Sequence, residues 1–238
     1  MGGALPVEWL GSVAYAEGLA LQRQAVADRI AGRTPDRLLL LEHPPVITLG
    51  RSTDRAHLRA DEATLRSRGV ELFEVGRGGD VTYHAPGQLV GYPVLDLDAL
   101  GRRDVHAHLR RIEAGLIEAL ESLGVPAKRV PGWTGVFVDR ARSGRGGGPE
   151  RKIASIGVGI RRWVTFHGFA LNVTVDLRGF QTIVPCGLSG VEMTSVAEER
   201  AIETGAGPRE AAGHPSLDAQ VRAAVGECMQ RQLGPGDP

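Results

Sequence analysis

Three apolar segments follow one another between residues 135 and 175: GVFVD (135–139), KIASIGVGI (152–160) and WVTFHGFALNVTV (163–175). Each is mostly apolar or alternates apolar with polar side chains, the signature of strands lying in a sheet. Upstream, RLLLLEH (37–43) is too short an apolar run for a helix and reads as a buried strand. PPVITLGR (44–51) is another strand after a proline break, and residues 71–97 are β-rich with two glycine or proline turns. Helices alternate with these segments. In residues 13–31, Ala14, Ala16, Leu19, Val26 and Ile30 recur at near-helical spacing. ADEATLRSRG (60–69) places acid early, base late and a glycine last. Residues 103–124 carry a stripe of Leu109, Ile112, Leu116, Ile117 and Leu120 that Gly124 closes.

The pattern predicts a single α+β domain, with a mixed β-sheet and helices packed mainly on one side. Residues 1–200 form its body. Residues 201–238 are an appendage: a linker (201–215), a last helix (216–233) and a short tail. RARSGRGGGPER (140–151) reads as a mobile surface loop. At 42% hydrophobic and 24% charged in 238 residues, the chain can bury a substantial core. Lysine plus arginine and aspartate plus glutamate both number 28, and this zero balance argues against nucleic acid as the main partner. No stretch has the length of a membrane span, the first residues lack a signal-peptide pattern, and a cytoplasmic location with reduced thiols is expected.

Four stretches carry candidate chemistry. GRGGDVTYHAPGQ (76–88) reads as a β-hairpin with glycine turns, or as a loop that brings backbone close to a ligand. In the second reading Arg77 supplies a forked contact and His84 a proton carrier. Lys152 opens a strand, either as a solvated edge residue or as a desolvated amine suited to acid–base work. His167 reads as a hydrogen-bonded core histidine. His106 and His108, two apart on a helix, cannot chelate together, and no metal-ligand spacing is present. Of the two cysteines, Cys228 fits a buried inert thiol. Cys186, between Pro185 and Gly187, is either buried and inert or a nucleophile whose base arrives through the fold.

RGGDVTYHAPGQL, KIASIG, FHGFALNV and PCGLSGVEMTS, in this order, resemble the octanoyltransferases of lipoate biosynthesis (the lipoyl/octanoyl transferase family). The resemblance spans roughly residues 7 to 200, and the separation of Lys152 from Cys186 matches it. It implies the α+β fold shared with biotin and lipoate protein ligase catalytic domains. It also implies transfer of octanoyl from octanoyl-acyl carrier protein to one lysine of a lipoyl domain. The acceptors would be 2-oxoacid dehydrogenase subunits and the glycine cleavage H protein. No cofactor, metal, nucleic acid or membrane is implied. Cys186 would be the acyl-thioester nucleophile and Lys152 its acid/base partner. Substrate contacts would come from Arg77, Gly78, Gly79, Asp80, Val81, Thr82, Tyr83 and His84, from Ser155, Ile156 and Gly157, and from Gly168, Phe169 and Ala170. The turn reads HAPGQ where HGPGQ is expected, so Ala85 stands in for a glycine. An ATP-dependent ligase of the same fold would need no cysteine, and the PCG block argues against it.

Overall fold

The computed structural model describes residues 4–142, 147–184, 190–204 and 215–235. Among them lie two sheets. The larger runs in the order β1 (Val7–Ser12), β2 (Arg37–Glu42), β6 (Gln88–Val94), β10 (Val164–Asn172), β9 (Glu150–Arg161), β8 (Val136–Val138), β7 (Ala127–Lys128). β11 (Val191–Met193) also pairs with β9. The β1–β2 and β11–β9 pairs are parallel and the other pairs antiparallel, so the expected mixed sheet is present. The smaller sheet has the order β4 (Glu71–Glu74), β3 (Val46–Leu49), β5 (Val81–His84).

The helices lie on both faces of the large sheet, which corrects the one-sided arrangement expected. β2 shows why. Leu38 and Leu40 enter the core beneath α3 (Val105–Ser122) and α5 (Pro215–Leu233), while Leu39 and Leu41 enter a separate cluster on the opposite face. That second face is covered by α1 (Tyr15–Ile30), whose Val26 packs with Val94 and Val164. Four consecutive leucines are what a strand buried on both faces requires.

α3 starts where Asp104 accepts a hydrogen bond from the Ala107 amide at 2.9 Å, and it stops at Gly124, whose φ is +80°. Its buried stripe includes Ile112, Leu116 and Leu120 as expected. α1 differs from expectation. Its buried positions are Tyr15, Gly18, Gln22 and Val26, whereas Ala14 and Ala16 are exposed. The inner face of this helix is partly polar because it closes over the site described below.

Other boundaries shift. β9 begins at Glu150, so the segment expected to be a loop from 140 to 151 gives its last two residues to the sheet. Residues 143–146 of that segment lie outside the described residues. α4 (Val196–Thr204) carries helix into the expected linker, and residues 205–214 also lie outside the described residues. β1 and α4 have no counterpart in the elements expected from the pattern. None of the described helices is long and apolar enough to cross a membrane.

Candidate active site

A cavity of about 210 Å3 opens where β9 and β10 meet the small sheet and α1. Backbone packing builds its entrance. The Gly78 amide donates to the Val158 carbonyl oxygen at 2.8 Å and pins the glycine-rich loop 77–80 onto β9. Gly157 permits this approach, because a Cβ there would lie 2.8 Å from the Gly78 carbonyl oxygen. Arg77 is buried, and its Nη2 donates to the Thr48 carbonyl oxygen at 2.8 Å and to Thr48 Oγ1 at 2.9 Å. The Asp80 carboxylate accepts from the Val81 amide at 2.7 Å and meets His57 Nδ1 at 2.5 Å.

Strand alternation sorts the expected substrate contacts. Thr82 and His84 of β5 line the cavity, while Val81 and Tyr83 turn into the core of the small sheet with Ile47 and Phe180. Arg77, Gly79 and Asp80 also line it, as do Ser155, Ile156, Gly157, Gly168, Phe169 and Ala170. Gly78 acts through its backbone bond to β9 rather than as lining. Ala85 needs no unusual backbone. The left-handed residue of that turn is Gly87, with φ of +83°, and a Cβ there would sit 2.6 Å from Thr174 Oγ1.

Lys152 is 1% exposed, which rules out the solvated edge reading. Its Nζ donates to the Thr134 carbonyl oxygen at 3.1 Å and lies 5.6 Å from the centre of the Phe137 ring. A lysine amine on the wall of a cavity, with an aromatic face and a carbonyl beside it, is placed to exchange protons with a bound reactant. Its backbone is held as well, since Met193 of β11 pairs with Lys152 and the Thr194 amide donates to the Lys152 carbonyl oxygen at 3.0 Å.

Cys186 lies outside the described residues, which resume at Gly190. The chain on either side is anchored. Ile183 bridges to Leu58, and the Val184 amide donates to the His57 carbonyl oxygen at 2.7 Å. Beyond the gap β11 runs along β9. Cys228 lies on α5 and is buried in the main core, and burial raises its thiol pKa, as an inert thiol requires.

His43, Tyr15 and Tyr92, missed by the sequence reading, surround His84 and His167. His43 Nδ1 bonds the Val13 carbonyl oxygen at 2.7 Å, and its Nε2 bonds the Tyr92 hydroxyl at 2.7 Å. Tyr15 stacks near His84, at 6.2 Å between ring centres. Burial pushes the pKa of His84 and of His167 down to about 3, with Arg77 adding repulsion in both cases. Both are thereby held neutral near pH 7, and His84 is a weak base there. His167 is buried and lines the cavity, at an unusual φ of +54°. Tyr15, Tyr92, Gly132, Trp133 and Thr134 line the cavity without having been singled out. The only hint was the Pro-Gly turn in VPGWTG before β8. Among the described residues no three His, Cys, Asp or Glu side chains are grouped to hold a metal ion.

This fold is shared with catalytic domains of lipoate–protein ligases. Lipoate-protein ligase A bound with ATP superposes with a TM-score of 0.62 at 17% identity, over 98% of this chain and 86% of that one. A chain of the archaeal lipoylation system of Thermoplasma acidophilum, a bipartite lipoate protein ligase and its E2 lipoyl domain, gives 0.60 at 17%, over 96% and 84%. The family model described as lipoyl protein ligase A/B catalytic domain matches residues 14–205. The octanoyltransferase of Acidobacterium capsulatum is 52% identical over 196 residues, covering 80% of this chain and 78% of that protein. That of Syntrophotalea carbinolica is 46% identical over 221 residues, covering 93% and 90%. The chain belongs to the lipoyl protein ligase A/B catalytic-domain family, among its octanoyltransferases, and is an acyltransferase.

Proposed function

We propose that this acyltransferase of protein lipoylation takes octanoyl from octanoyl-acyl carrier protein, holds it as a thioester on Cys186, and passes it to one lysine of a lipoyl domain. The acceptors are lipoyl domains of 2-oxoacid dehydrogenase subunits and the glycine cleavage H protein. The observation that carries this reading is the buried Lys152, whose amine meets the cavity while its backbone pairs with the strand that follows the Cys186 segment.

Lys152 takes the Cys186 proton, and the thiolate attacks the donor thioester carbonyl. The carrier thiol leaves with a proton. The acceptor amine then attacks the enzyme thioester and Lys152 accepts its proton. Thioester-to-thioester exchange is nearly balanced, and thioester to amide runs downhill, so the sequence needs no ATP. Val90, Ile156, Phe169 and Ala170 offer an apolar wall to the acyl tail. At about 0.8 kcal/mol per buried CH2, the six methylenes of an octanoyl tail contribute about 5 kcal/mol before ordering costs.

The test is exposure to octanoyl-acyl carrier protein alone, followed by intact-protein mass measurement. A hydroxylamine-sensitive octanoyl adduct is expected, abolished by Cys186→Ala and kept by Cys228→Ala. An adduct that survives on the Cys186 variant would overturn the assignment. Pyrophosphate release from ATP and free octanoate would instead identify a ligase.

A further inference from the structure

A continuous line of buried hydrogen bonds leads from the cavity to an ion cluster on its far side. His84 Nδ1 bonds Gln88 Oε1 at 2.7 Å, and Gln88 Nε2 bonds Asn172 Oδ1 at 2.9 Å and the Tyr83 carbonyl oxygen at 3.2 Å. Asn172 Nδ2 donates to the Thr194 carbonyl oxygen at 2.8 Å. Thr194 Oγ1 donates to Glu199 Oε1 at 2.7 Å, and Glu199 pairs with Arg151, the neighbour of Lys152 in β9. Gln88 and Asn172 face each other across the β6–β10 pair, and each is 1% exposed.

Direction in this line is set by backbone. The Thr194 and Tyr83 carbonyl oxygens can only accept, so both amide groups must present nitrogen to them. Gln88 Oε1 is therefore an acceptor, and His84 must carry its proton on Nδ1. Flipping the Gln88 amide would set oxygen against oxygen at both Tyr83 and Asn172. The opposite nitrogen, Nε2, is then a bare acceptor on a ring that lines the cavity. The groups facing this ring from neighbouring elements are Tyr15, His43, Arg77 and His167, none of them a carboxylate that would favour its protonation.

We propose that His84 Nε2 accepts one N–H of the incoming lysine amine and so orients that amine within the cavity, with Gln88 and Asn172 as positioning residues. This rests on the thioester reading above. The C–N bond forms from the amine lone pair, and the C–S bond breaks with its electrons on sulfur. One amine proton passes through Lys152 to that sulfur, and the N–H held by His84 stays on the product amide. A charged imidazolium would donate an N–H to the amine lone pair and block its attack, so the locked neutral tautomer is what the second half-reaction needs.

The two half-reactions and the tautomer are measured separately. In 15N-histidine-labelled protein, His84 is expected to show a protonated Nδ1 and an unprotonated Nε2 at a pH below the ordinary histidine pKa of about 6.5. A protonated Nε2 would overturn the proposal. Gln88→Leu is expected to load octanoyl at nearly the native rate but to discharge it to a lipoyl domain about tenfold more slowly, the loss of one hydrogen bond. Equal slowing of loading and discharge overturns it. Gln88→Glu keeps an acceptor for Nδ1–H but raises the His84 pKa, so discharge should be rescued at alkaline pH and lost on acidification. A flat profile for Gln88→Glu would contradict the role. Absence of any acyl-enzyme in the native protein counts against the thioester instead, and the nitrogen spectrum still decides the tautomer.

Discussion

Lys152 Nζ hydrogen-bonds the carbonyl oxygen of Thr134, a residue 18 positions earlier in a different strand connection. The loop that presents Thr134 is itself held from beneath. Glu113 on α3 is fully buried, accepts from the Gly135 amide at 3.2 Å, and pairs with Arg129 at 2.8 Å and Arg110 at 2.5 Å. The Lys152 amine is thus positioned through a buried carboxylate on a helix that contributes nothing else to the cavity.

Glu113→Ala should therefore damage both fold and site. Arg110 and Arg129 are nearly half exposed and water can take them up, so the cost is that of the lost hydrogen bonds, about 1–3 kcal/mol. Urea unfolding should show that loss, and acyl transfer should fall in the protein that remains folded. A stability within about 0.5 kcal/mol of native would mean the cluster does not hold the loop.

Lys152→Met should separate chemistry from stability. Replacing the buried amine by an apolar side chain of similar length should change stability little, the relieved desolvation offsetting the lost hydrogen bond to Thr134. Loss of a positioned acid–base group should slow enzyme acylation by about 10²–10⁴-fold. Rapid-quench acylation and thermal melting of the same sample check both halves. Retained acylation would remove Lys152 from the proton transfer.

Acid should destabilise the protein through its buried histidines. His84 and His167 are pushed by burial down to about 3, and His43 is lowered by burial as well. In the unfolded chain each titrates near 6.5, so on acidification the unfolded state takes up protons that the native state refuses. Stability is complete above about pH 6.5 and declines toward pH 3, by up to about 1.4 kcal/mol per pH unit for each histidine. Chemical denaturation across this range should show the decline, and His84→Gln should make it shallower. An identical slope in the variant would place the titration elsewhere.

The two-residue turn between β9 and β10 offers a stabilising change. Arg162 and Trp163 adopt φ of +50° and +64°, the double left-handed geometry that favours asparagine and glycine. Arg162 is exposed. Arg162→Asn should add about 1 kcal/mol, raising Tm by about 2–4 °C without altering activity. Trp163 is a poorer target, because it packs at the edge of the main core and under Arg103.

Chain order and local pattern were enough to read most of the strands, α3, and three of the four blocks, which line the cavity. These are short-range properties. Side-chain period and glycine placement are written in neighbouring residues, and RLLLL even encoded burial on both faces of β2. What local pattern misread was α1, whose inward positions are Tyr15, Gly18 and Gln22 because that face closes a polar site rather than an apolar core. The burial of Lys152, its carbonyl partner Thr134, the neutral charge of His84 and the Gln88–Asn172 contact across 84 positions were decided by the tertiary structure alone. Protonation and hydrogen-bond direction depend on which distant groups exclude water from an atom, and only the packed chain brings those groups together.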